Sequence, residues 1–210
     1  MADRRPLFAV VLAGGRGSRM GSAIPKPLIE IGGRPLIERV LDVVRLRADG
    51  TVISTNAPES FAHLGLPAIA DEEPDFAGPL AGLVAAARWF AAREERPFHL
   101  LSVAGDTPFL PADLVARLAD GAEDDAVAVA AQAGHVHPIV ALWSSDIVCD
   151  LSIDPAAPRR DRSLRAIQEA HACRIVDFAA DARAPGGDPF FNVNTPVDLA
   201  LARRWVEITG

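Results

Sequence analysis

The chain has 210 residues, half of them hydrophobic and 23% charged, with a formal net charge of −7. That length suits one α/β domain with a buried core, and the composition excludes a disordered chain. The acidic total argues against a nucleic-acid surface while leaving room for a local basic pocket, and no apolar run approaches the length of a membrane span.

The opening MADRRPLFAVVLA loosely mimics a signal peptide, with two arginines ahead of a short apolar run. The run passes straight into a glycine-rich loop without a convincing cleavage region. Residues 7–13 therefore read as a strand buried on both faces of a parallel sheet. LIEI and a Gly-Gly turn follow, and Pro35 opens a helix whose Leu36, Ile37, Val40, Leu41 and Val44 recur at helical spacing. Residues 51–55 form the second strand, a short helix covers 61–64, and a third strand lies near 67–70. Pro79 begins a helix with Leu80, Leu83, Val84, Ala87 and Phe90 on one side. Trp89 and Phe90 on that helix read as core, while Trp143 is ambiguous. Residues 98–104 form the fourth strand, and a helix follows Pro111.

In the second half AVAVAA and HPIVALW read as strands close in sequence, 163–171 as a helix and CRIVDF as extended. Thr195-Pro196-Val197-Asp198 starts a last helix, with threonine as N-cap and an acid three residues on. There is no repeat, and PAAPRR and ARAPGGDP read as loops rather than linkers. The whole chain, 1–210, is expected to be one domain: a mainly parallel sheet between helices, with a mixed second half. Cys149 and Cys173 lack CxxC spacing and fit buried, inert, reduced thiols of a cytosolic protein, with one disulfide left open.

In an open α/β sheet, ligands sit outside the carboxyl ends of the strands. Here those ends carry AGGRGSRMG, then Asn56, then Asp71, then Gly105-Asp106. Each residue alone could be a turn former or a cap; together they favour a site. The glycine loop fits neither a Rossmann fingerprint, since Met20 stands where the third glycine belongs, nor a P-loop, since no Gly-Lys pair occurs. Its glycines still let backbone N–H groups approach phosphate oxygens, and Arg16, Arg19 and Lys26 add positive charge.

LAGGRGSRMG, Lys26 and IGGRPLIERV, followed in order by GPLAGL (78–83), DTPFLP (106–111), HPIVALW (137–143) and FNVNTPVDL (191–199), resemble nucleotidyltransferases. Within that group the chain is most similar to the molybdenum cofactor guanylyltransferases, over nearly its whole length. The resemblance implies a three-layer α/β/α, Rossmann-like nucleotidyltransferase fold. It also implies a cytoplasmic enzyme that moves GMP from GTP to the terminal phosphate of molybdopterin, with Mg²⁺, and releases pyrophosphate. Matched by motif, Leu12, Ala13 and Gly14 contact the nucleotide; Gly15, Arg19 and Gly21 form its phosphate loop. Lys26 sits at the phosphates, Asn56 and Asp71 bind nucleotide, and Asp106 is the Mg²⁺ ligand. Arg19, Lys26 and Asp106 are the expected catalytic set.

Asn192 and Asn194 fall on the acceptor side, and for Asn194 the metal and the acceptor both stay open. Arg162, in the basic run Arg159, Arg160, Arg162 and Arg165, is a second-line acceptor contact; a solvated face is the default for such a run. His135 and His137 alternate on a strand, lack a third metal ligand, and read as polar strand positions; His137 also falls at the family's His-Pro position, which by resemblance leaves an acceptor-side role open. GTP and molybdopterin are the implied partners, with no nucleic acid or membrane, and with allowance for transient contact with proteins that receive the cofactor.

Three positions depart from the family pattern. Pro25-Lys26-Pro27-Leu28 stands where Asp-Lys-Gly-Leu is common and looks more like sugar-phosphate nucleotidyltransferases, the nearest rival. Gly105 replaces a frequent cysteine, and Val197 a frequent glutamate. LAGG and NVNTP point to guanine, where the cytidylyltransferase relatives read LAAG and DIDTP; a missing methyl at Gly14 makes room for the larger base. A non-catalytic nucleotide-binding module is the rival of another class, and the presence of Lys26 and Asp106 opposes it.

Overall fold

The computed structural model describes residues 4–14, 24–70, 78–122, 126–151 and 163–209. In chain order come β1 (Leu7–Leu12), the two-residue strands β2 (Glu30–Ile31) and β3 (Arg34–Pro35), α1 (Leu36–Val44), β4 (Gly50–Ser54), α2 (Pro58–Phe61) and β5 (Ala68–Ile69). Then follow α3 (Pro79–Ala91), β6 (His99–Ala104), α4 (Leu114–Ala119), β7 (Val127–Gln132), β8 (His135–Ser144), α5 (Ser145–Val148), α6 (Leu164–Ala170), β9 (Cys173–Phe178) and α7 (Pro196–Thr209).

Seven strands form one sheet in the order β5-β4-β1-β6-β8-β7-β9. Strands β5, β4, β1 and β6 run parallel, and β8 is antiparallel to both β6 and β7. The expected parallel sheet with a mixed second half is what the chain forms. Period-2 alternation splits β1 between two cores. Ala9 and Val11 face the layer that includes α1 and α4, and Val10 faces the layer built on α3. All five predicted apolar positions of α1 are buried. Helix α3 buries almost every side, as a helix between sheet and neighbouring helix must.

Boundaries differ where turn chemistry decides. The first helix after β4 starts at Pro58, which takes the first helical position, and a 3-10 turn over Ala62–Leu64 ends at Gly65 with φ +65°. The Gly-Gly turn closes a small hairpin between β2 and β3, with Gly32 and Gly33 at φ +57° and +73°. Phe90 is core, stacked on Phe8 at 4.3 Å, while half-buried Trp89 carries Arg93 over its ring. Trp143 is fully buried, its Nε1 donating to Ser102 Oγ at 2.9 Å. Cys149 is exposed rather than buried, because it caps the short helix α5 at the surface. Partial burial and the carboxylates of Asp150 and Asp146 push its thiol pKa up, which keeps it in the unreactive form. Cys149 and Cys173 are not joined.

Candidate active site

Because β5, β4, β1 and β6 run parallel, their carboxyl ends share one edge. Leu12 pairs in register with Ser54 on one side and Ala104 on the other. The residues that follow, Ala13-Gly14, Thr55-Asn56 and Gly105-Asp106, therefore emerge together. The backbone ties the first two ends beyond the ladder, with Ala13 N–H donating to Ser54 O at 2.8 Å, and Gly105 N–H bonds Leu12 O at 2.9 Å. Among the described residues, a Cβ on Gly14 would meet only Ser54 O, at 4.0 Å. Asn56 is exposed and lies at this edge. Gly15, Arg16, Arg19, Gly21, Asp71, Arg159, Arg160 and Arg162 lie outside the described residues.

The centre of the edge is a three-residue cluster. A 3-10 turn over Lys26–Leu28, preceded by Pro25, carries Lys26 in. Its ammonium pairs with Asp106 Oδ2 and donates to Asn194 Oδ1 at 2.7 Å. The Lys26 and Asp106 side chains are only 13% and 14% exposed, so each charge depends on its partner rather than on water. Asp106 Oδ1 is buried and unpartnered. An orphaned acceptor of that kind costs about 1–3 kcal/mol, and a carboxylate oxygen out of water is the ligand a hard cation takes. Asn192 Oδ1 is orphaned as well.

Asn192 and Asn194 reach this edge through backbone bonding. Val193 N–H donates to Asp106 O at 3.0 Å, fixing the segment between them. Helix α7 begins in a reciprocal capping box: Asp198 N–H donates to Thr195 Oγ1, and Thr195 N–H to Asp198 Oδ2 at 2.8 Å. Asp198 Oδ2 also accepts from Asn194 N–H at 3.0 Å, so the cap holds Asn194 itself. In GPLAGL the second glycine is steric: a Cβ on Gly82 would stand 2.4 Å from Ser54 Oγ and 2.7 Å from Leu12 Cδ2. Only glycine lets α3 settle against the ends of β1 and β4.

Two of the departures from the family pattern touch each other. A Cβ at Gly105 would meet Pro27 Cβ at 3.2 Å and Cγ at 3.4 Å. The proline ring fills the space that a side chain at 105 would take. Glycine at 27 with cysteine at 105, and proline at 27 with glycine at 105, distribute similar volume across one contact. Val197 is 76% exposed, consistent with its freedom to vary.

The Lys26–Asp106 pair was not foreseen, since Lys26 was matched to the triphosphate; opposite charge at the same edge was the available signal. Val193's backbone bond to Asp106 carries no sequence signal. Arg165 pairs with Glu169 one turn on, as a solvated face does. His135 and His137 do share a face, with ring centroids 5.4 Å apart. Among the described residues no group of three or more His, Cys, Asp or Glu gathers around a metal-sized space.

Among the described residues, a lysine and a carboxylate at the carboxyl edge of a parallel sheet, with Asn194 bonded to the lysine, fit a nucleotidyltransferase. The model of the MobA-like NTP transferase domain matches residues 9–175, and the chain belongs to that family. It is 42% identical over 207 residues to a molybdenum cofactor guanylyltransferase of Rhodopseudomonas palustris, covering 97% of this chain and 96% of the relative. A Sinorhizobium fredii protein of the same name is 43% identical over 204 residues, with coverage of 94% and 91%. In fold the chain resembles molybdopterin-guanine dinucleotide biosynthesis protein A from Archaeoglobus fulgidus, with TM-score 0.69, 22% identity and coverage of 96% and 99%. It likewise resembles a Mycobacterium tuberculosis protein crystallised with manganese, with TM-score 0.65, 21% identity and coverage of 97% and 98%.

Proposed function

We propose that this enzyme transfers GMP from GTP to the terminal phosphate of molybdopterin, forming the guanine dinucleotide cofactor and releasing pyrophosphate. The observation that carries the reading is the Lys26–Asp106–Asn194 cluster at the carboxyl edge of the sheet. Relatives above 40% identity named molybdenum cofactor guanylyltransferase support the acceptor and the base. An oxygen of the acceptor phosphate attacks the α-phosphorus of GTP, and the bond to the β-phosphate oxygen breaks as pyrophosphate leaves in line. A phosphate nucleophile is ionised near neutral pH, so positioning and charge neutralisation dominate and no general base is needed.

Asp106, with its orphaned oxygen, would hold Mg²⁺, which supplies neutralisation of phosphate charge while keeping waters of its own. Lys26 then exchanges Asp106 for the triphosphate, and Arg19 in the glycine loop adds to it. Leu12, Ala13, Gly14, Gly15, Asn56 and Asp71 bind the nucleotide; Asn192, Asn194 and Arg162 receive the acceptor. PKPL, the motif shared with sugar-phosphate enzymes, has a packing reason in the Pro27–Gly105 contact and does not argue for a sugar acceptor. The enzyme works in the cytoplasm and hands its product to cofactor-accepting proteins; no helix of the described residues is long and apolar enough to cross a membrane.

Thermal stability with GTP, CTP, UTP and ATP, with and without Mg²⁺, tests the base and the metal together. A ligand that binds only the folded chain adds about 2.7 kcal/mol at a hundred times its dissociation constant. A magnesium-dependent rise selective for GTP is expected; one selective for CTP would reassign the enzyme as a cytidylyltransferase.

A further inference from the structure

Arg39 on α1 is half-buried, and the acids nearest to it in sequence are taken by another arginine: Glu38 and Asp42 both pair with Arg34, at 3.6 and 3.0 Å. Its guanidinium folds under the β2–β3 hairpin instead, where Nη2 donates to Ile31 O at 3.2 Å and Nε is buried without an acceptor among the described residues. Gly32 lets the hairpin close there: a Cβ would stand 2.5 Å from Val206 Cγ1 on α7 and 3.3 Å from Arg39 Nη2. Burial pushes the Arg39 pKa down, the charge of Arg34 adds to this, and Asp42 opposes it. A guanidinium still keeps its proton in a protein. The chain therefore holds a positive charge here that is short of acceptors and, among the described residues, has no ion-pair partner.

Arg39 stands in the wall of a cavity of about 250 Å³ that the proposed reaction does not use. Arg39, Arg183 and Asp181 line its polar side, and Phe109, Leu110 and Val206 its apolar side. Arg183 and Asp181 neutralise each other through a two-pronged contact, Nη2 to Oδ2 at 2.7 Å and Nε to Oδ1 at 3.0 Å. Among the lining residues this leaves one unbalanced charge, that of Arg39. The volume lies below the range of about 300–1,000 Å³ that takes drug-sized ligands, and is too small for a second nucleotide. One charge calls for a monoanion, and a planar guanidinium matches a carboxylate. An inorganic dianion would leave its second charge facing Asp181. The apolar side suits a short hydrocarbon body.

We propose that this cavity binds a small organic monocarboxylate, its carboxylate on the Nη end of Arg39 and its hydrocarbon body against Phe109, Leu110 and Val206. The inference is independent of the guanylyl-transfer reading and stands or falls without it. Calorimetric titration with benzoate should show millimolar or tighter binding to wild type and a loss of about tenfold or more in Arg39→Met, the span of one charge-assisted hydrogen bond. That variant puts hydrocarbon where an under-satisfied charge stood, so it should fold, and its Tm in benzoate-free buffer checks this. In ¹⁵N-arginine-labelled wild type the Arg39 Nε–H resonance, assigned with Arg39→Met or Arg39→Lys, should move with benzoate. It should stay in place with benzamide, the neutral analogue, and with inorganic phosphate at the same concentration. Equal affinity in folded Arg39→Met, an Arg39 resonance that ignores benzoate, or no binding at millimolar benzoate overturns the inference. A resonance that moves more with phosphate or benzamide than with benzoate overturns the carboxylate assignment.

Discussion

Lys26 and Asp106 face each other largely out of water, so the Lys26 ammonium balances the Asp106 charge; the proposed reaction asks both for a second partner. The strand-end rule was enough to find Asp106, whereas Lys26 was read from the charge that follows the glycine loop and from the family resemblance. Their pairing was hidden because it depends on a three-residue turn around Pro25 and Pro27. That turn also explains a motif that looked foreign. If Pro27 and Gly105 exchange volume, Gly105→Cys alone should cost about 1–3 kcal/mol by overpacking. In a Pro27→Gly background the same change should cost less, with a coupling of about 1 kcal/mol in urea unfolding. Additive losses would show that the two positions are independent.

His137 ties the stability of the chain to pH. Its folded pKa lies below the ordinary value of 6.5, with burial the main cause, His135 adding to it and Asp188 opposing. As pH falls below about 6.5, the unfolded chain takes up a proton that the folded chain refuses. Stability should therefore drop from there towards the lower folded value and then cease to depend on this group. Urea unfolding at pH 7.5 and 5.5 should show a smaller loss in His137→Phe than in wild type, and equal losses would contradict the assignment.

Among elements, those with strong periodicity were legible and those built by turns were not. The five buried positions of α1 and the span of β9 were readable because burial on one face or both leaves a regular pattern. The β2–β3 hairpin and α5, of two-residue strands and four residues, are too short to leave one. The start of α7 was readable because threonine and aspartate at that spacing satisfy each other's backbone. The structure adds that this cap also fixes Asn194. Asp198→Ala should thus lower stability by about 1 kcal/mol and, at a temperature where the variant stays folded, raise the KM for the acceptor. Loss of stability with an unchanged KM would separate the cap from the site.

For the whole molecule, sheet order assigns the labour. Strands β5, β4 and β1, whose ends carry the residues proposed to bind nucleotide, lie on one side of β6 and β8, β7 and β9 on the other, and β6 delivers Asp106 between them. The parallel half was legible because each of its strands is followed by a helix. The register of the mixed half was not, since β8 pairs with β6 across the intervening α4 and β7 rather than with a neighbour that a crossover helix announces. Gly14 adds to this partition: among the described residues only Ser54 O, at 4.0 Å, comes near a Cβ built there.

Product formation from GTP and molybdopterin with Mg²⁺, wild type beside folded Asp106→Asn, decides whether Asp106 serves guanylyl transfer. Wild type should release one pyrophosphate per guanine dinucleotide and prefer GTP over CTP, and the variant should lose most turnover. Near-normal turnover by Asp106→Asn, or a wild type that releases pyrophosphate only with another triphosphate or acceptor, would contradict it.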